Sequence, residues 1–118
     1  MTSHKATSVA AAYFEAWKAR DFVRFRSLLA DDVSFIGPLG RADYADEYVQ
    51  GIEALSRIVS DIVIHKTFVD GDDVVTWFDL HTSVTPPMAV ANWMHVANGK
   101  ITRVRVTFDP RPLSPPAA

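Results

Sequence analysis

A chain of 118 residues, 48% hydrophobic, 22% charged and without cysteine, has enough apolar surface for one core. It has no route to a disulfide, a thiolate metal site or a cysteine nucleophile. A formal net charge of -2, with twelve lysines and arginines scattered along the chain, supplies no basic field for nucleic-acid phosphates.

No apolar run approaches the roughly 18 residues that span a bilayer. Residues 1–8 lack the apolar stretch of a signal peptide, so the expected location is cytoplasmic and no membrane partner is expected.

Val9, Tyr13, Ala16 and Trp17 recur at helical spacing and predict a first helix over 9–20, with Ser8 as its N-cap. Asp21 is placed to cap a short second helix whose stripe is Phe22, Phe25, Leu28 and Leu29, ended by Asp31 and Asp32. A short strand over 33–36 stops at Gly37-Pro38-Leu39-Gly40. Asp43 then caps a third helix whose inner stripe reads Tyr44, Tyr48, Ile52, Leu55 and Val59.

Strands over 62–69 and 74–84 form a hairpin around Asp70-Gly71-Asp72-Asp73, and Pro86-Pro87 breaks the second of them. A strand over 89–97 turns through Asn98-Gly99, a strong hairpin dipeptide, into a strand over 101–108. The prolines after Asp109 remove backbone donors and predict an extended tail. The reading is one α+β domain over 1–109, three N-terminal helices packed on a curved antiparallel sheet, and a Pro-rich tail over 110–118.

Alternation along the last strand points Thr102, Val104, Val106 and Phe108 toward the helices and Arg103 and Arg105 away. Their partners on the preceding strand are Val90, Asn92, Met94 and Val96, leaving Trp93 and His95 on the outer face. Both faces of 74–84 carry apolar groups, so periodicity leaves two phases open there: Trp77, Asp79 and His81 inward, or Phe78, Leu80 and Thr82.

Tyr13 eight residues before Asp21, Leu-Leu-Ala-Asp-Asp-Val at 28–33, Gly-Pro-Leu-Gly at 37–40 and Asn-Gly-Lys-Ile leading to Thr-Phe-Asp at 107–109 are carried together. With these signals the sequence resembles the nuclear transport factor 2-like superfamily. That group includes ketosteroid isomerases, SnoaL-like cyclases, scytalone dehydratases and limonene epoxide hydrolases. The resemblance implies an α+β cone roll with a ligand pocket inside, commonly as a dimer.

By position it implies that Tyr13 and Asn92 stand where ketosteroid isomerases hold a developing oxyanion, while the isomerase base position is Gly37. Comparison with limonene epoxide hydrolase favours the phase that turns Trp77, Asp79 and His81 to the pocket. Asp79 is then the candidate base, assisted by His81, the two lying on one strand face roughly 7 Å apart at the backbone.

The expected pocket lining is Trp17, Tyr48, Trp77, Met94, Val106 and Phe108, with Tyr13, Asn92, Asp79 and His81 as catalytic candidates. The functional expectation is a cofactor-independent isomerase, lyase or cyclase abstracting a proton from a small apolar or aromatic substrate. The alternative is a non-catalytic binding protein using the same pocket. His4, His65 and His95 have no metal-ligand spacing, so no metal is expected. A homodimer through the outer sheet face is expected from the exposed tryptophan there.

Overall fold

The computed structural model of the chain describes residues 2–113, with side chains from Lys5 onward. Helices α1 (Thr2–Lys18) and α2 (Phe22–Ser27) precede strands β1 (Leu29–Gly37) and β2 (Gly40–Ala42). Helix α3 (Ala45–Ser56) then leads into β3 (Val59–Asp70), β4 (Asp73–Thr82), β5 (Met88–Ala97) and β6 (Lys100–Thr107). A short 3-10 turn, Arg111–Leu113, follows, and the remainder of the expected tail, 114–118, lies outside the described residues.

The three helices pack on a curved six-stranded sheet that does not close into a barrel. Its strand order is β2-β1-β6-β5-β4-β3. Every neighbouring pair is antiparallel except β1 and β6, the second pair in the order, which run parallel. The sheet is therefore mixed. Parallel strands need a long crossover, and here the whole of β2 to β5, with α3, supplies it.

Helical spacing at Ala6, Ala10, Tyr13, Phe14 and Trp17 gives α1 its buried stripe, and Ala45, Tyr48, Val49, Ile52 and Ser56 do the same for α3. Asp21 caps α2 by accepting from the Arg24 amide at 3.1 Å. Arg20 ends α1 in the left-handed region at φ 57°, and its guanidinium donates to the Ser56 carbonyl at 2.9 Å and the Val59 carbonyl at 2.7 Å. Two carbonyls at the α3–β3 junction are thereby satisfied by the end of α1. At the β5–β6 turn Asn98 and Gly99 both take positive φ, 53° and 76°, as a two-residue hairpin requires.

Several boundaries differ from the sequence reading. Helix α1 starts at Thr2, so Ser8 lies within it rather than capping it. Asp31 and Asp32 fall inside β1, where their side chains are exposed. Tyr44 is the N-cap residue of α3 and exposed rather than part of its inner stripe, and Val59 opens β3. In β6 a register shift opposite His95 and Val96 places Ile101, not Thr102, among the buried residues. No helix among the described residues is long and apolar enough to cross a membrane.

Candidate functional site

A cavity of about 280 Å³ lies between α1, α3 and the inner face of the sheet. That is near the lower end of the ~300–1,000 Å³ usual for small-molecule sites. Its walls are apolar side chains: Trp17 from α1, Ile52 and Leu55 from α3, and Phe78, Leu80 and Val90 from β4 and β5. Val106 and Phe108 close the β6 side, and the β1–β2 turn supplies Pro38, Leu39 and Arg41 at the rim. Leu39 and Arg41 are exposed, and Arg41 is held by Asp43 at 3.2 Å.

The inner end is polar. Tyr13 and Tyr48 hydrogen-bond hydroxyl to hydroxyl, and both are buried. Burial pushes the Tyr13 phenol up to about 12 against the opposing hydrogen bonds of Tyr48 and Asn92, and burial with the charge of a Tyr13 phenolate pushes Tyr48 up as well. Neither tyrosine ionises near neutral pH.

Asn92, from β5, is 1% exposed on the same wall, and its Oδ1 makes no hydrogen bond within the protein. The aromatic packing that fixes this end is tight. Phe35 stacks on Tyr48 with ring centres 4.6 Å apart, and Phe25 lies 4.7 Å from Tyr13.

The SnoaL-like domain pattern matches residues 10–104. The chain belongs to the SnoaL-like domain family. Among solved structures, a Kribbella flavida protein is 31% identical with a TM-score of 0.85, the match covering 90% of this chain and 88% of that one. A nuclear transport factor 2-like protein from Cytophaga hutchinsonii is 27% identical at TM-score 0.83, over 92% and 93% of the two chains. An LEH-like epoxide hydrolase of M. tuberculosis is 22% identical at TM-score 0.79, over 92% and 86%, a likeness of fold. No curated protein matches the chain.

In this SnoaL-like domain six of the residues expected at the pocket come together: Tyr13, Trp17, Tyr48, Asn92, Val106 and Phe108. Four do not. Met94 is on the correct face but wholly buried, opposite Val74 and Val104, and does not reach the cavity.

Trp77, Asp79 and His81 lie on the outer face, because β4 buries Val74, Thr76, Phe78 and Leu80 instead. The register decides this: Phe78 is the partner of Val90 and Thr76 that of Asn92, so the inward phase of β5 fixes that of β4. On the outer face Asp79 pairs with His65 at 3.0 Å across β3, and His81 stands opposite Asp61.

The catalytic assignment of Asp79 and His81 to this pocket is thereby overturned. Phe78, Leu80 and Val90 are pocket residues the sequence reading did not select. A signal existed in the charge pattern, since Asp79 and His81 have titratable partners in His65 and Asp61 on β3, as a solvated face does.

Proposed function

We propose that this SnoaL-like domain binds one small, largely apolar molecule in the cavity, anchored by a single polar group at the tyrosine and asparagine end. The observation that carries the reading is the separation of chemistry between faces. Among the described residues the lining is apolar apart from Tyr13, Tyr48, Asn92 and rim-side Arg41 and contains no carboxylate or imidazole, while Asp79, His81 and His65 share the opposite face. A pocket so built gains affinity from apolar burial and orientation from a few hydrogen bonds.

Gly51 offers a clean test. It lines the cavity from α3, and a side chain there meets nothing within 4 Å of its Cβ. Small ring ketones and phenols are expected to raise the melting temperature of the wild type in a saturable way. Gly51→Phe should fold and lose that response. Full retention of the response in the folded variant would place binding elsewhere and overturn the reading.

A second reading, isomerase- or cyclase-type catalysis, draws support from the tyrosine pair. Two desolvated phenols and an amide beside one position suit a developing enolate oxygen. With no base among the described lining residues, the proton would leave to water or to another group of the substrate. Turnover of enolisable ketones by the wild type, abolished in Tyr13→Phe, would favour this reading.

The outer sheet face supports a homodimer. Phe68, Val75, Trp93, Arg105 and Ile36 form one cross-strand row, and Trp77 lies in the next. Trp77 is 46% exposed and Phe68 56%. Acidic Asp73 and Asp79 lie on β4, while Arg103 and Arg105 lie on β6, with β5 between. A two-fold axis along β5 lays Asp73 of each copy over Arg103 of the other, the two residues sharing one cross-strand row through His95. Sedimentation should give a dimer for the wild type and a monomer for Trp77→Glu; a monomeric wild type would reject the arrangement.

A further inference from the structure

We infer that the molecule held in the cavity is elongated, a compact ring bearing an unbranched alkyl tail, and that the tail lies in a mouth formed by Leu39 and Gly51. The inference rests on the binding reading above and adds the shape of the ligand to it.

The exposure of the lining shows where the cavity opens. Trp17, Ile52, Phe78, Leu80 and Val90 are all buried, which closes the floor and the side walls. Among the described residues, the lining positions that are exposed are 38–41 of the β1–β2 turn and Gly51 of α3. The mouth therefore has one lip on the turn and the other on the helix.

Gly51 has no role in the fold that calls for glycine. It lies in the middle of α3 without a positive φ, where glycine costs stability relative to alanine. A Cβ there would meet nothing within 4 Å, so no neighbour requires the side chain to be absent. What its absence does supply is width at the mouth, since the position is both exposed and part of the lining.

Leu39 supplies apolar surface on the other lip. It lines the cavity, is 59% exposed, and sits on a turn closed by the pairing of Gly37 with Gly40. An alkyl tail crossing this lip takes Leu39 out of water, which a polar tail does not. Arg41 follows on the same turn, but it is the register partner of Ile36 on the outer sheet face and is held by Asp43 at 3.2 Å. It does not turn the mouth toward an anion.

The test is a series of one ring with tails of increasing length: cyclohexanone, 4-ethylcyclohexanone and 4-pentylcyclohexanone, titrated calorimetrically into the whole protein. For the wild type the pentyl compound should bind at least about tenfold tighter than cyclohexanone, with the ethyl compound between them. Leu39→Ser removes the apolar lip, and Gly51→Leu places a side chain in the path of the tail. In each variant the pentyl-to-parent ratio should fall at least about threefold.

A smaller fall in either folded variant overturns the inference, and Leu39→Ser, on an exposed turn, decides the matter if Gly51→Leu fails to fold. A wild-type series that gains less than expected makes the mouth an entrance only and also overturns it, while binding of cyclohexanone itself leaves the binding reading intact. Failure of all three probes to bind the wild type overturns both the inference and the binding reading for this ligand class.

Discussion

Trp17 Nε1 donates to Ser56 Oγ at 3.0 Å, and Ser56 in turn donates to the Ile52 carbonyl at 2.7 Å, so a buried chain of hydrogen bonds ties α1 to α3 beside the cavity. Ser56→Ala strips the buried indole N–H of its acceptor. The expected cost is about 1–3 kcal/mol in urea unfolding, and a change below a few tenths would show the bond to be dispensable.

The tyrosine pair makes stability fall in alkali. An unfolded tyrosine ionises near 10, whereas folded Tyr13 holds its proton to about 12. Between those values the native state binds more protons than the unfolded chain, so unfolding becomes easier as pH rises. The contribution is fully present below pH 10 and lost by about pH 12. It amounts to roughly 3 kcal/mol from Tyr13, with Tyr48 shifted in the same direction. Tyr13→Phe should flatten the alkaline limb of a stability profile followed by circular dichroism.

Gly37 sits where the resemblance places an isomerase base, but a carboxylate cannot simply be added there. A Cβ on Gly37 would lie 2.8 Å from Phe35 Cζ, and Phe35 is stacked on Tyr48. Gly37→Ala should cost about 1–3 kcal/mol through displacement of that ring. It should also weaken the binding of small ring ketones and phenols as Tyr48 loses its support. Unchanged affinity and stability would show that the ring relaxes freely.

Gly51 has the opposite character. It lies mid-helix in α3, exposed, with open space where a methyl would go. Gly51→Ala should therefore stabilise the fold by about 0.5–1 kcal/mol, visible as a higher denaturant midpoint at unchanged slope. Destabilisation there would mean that the cavity wall tolerates no added atom.

Local patterns in the chain determined most of its architecture. Helical spacing of Tyr13 and Trp17, strict alternation through Val90, Asn92, Met94 and Val96, and the Asn98-Gly99 turn each follow from interactions within a few residues. Asn92 was legible as a site residue for the same reason, being the one amide on an apolar face whose phase was already set.

What the sequence by itself left open was parity between distant strands. Side chains alternate with period two, so one residue of slip in the β4–β5 register exchanges Phe78 and Leu80 for Trp77 and Asp79. The connection over 83–87 does not announce its length in register terms. The parallel seating of β1 on β6 and the bulge beside His95 are likewise settled by long-range pairing. Only with the strands assembled does the cavity lose its carboxylate and keep two tyrosines and an asparagine, because burial favours the face that carries Phe78 and Leu80 over the one that carries Asp79 and His81.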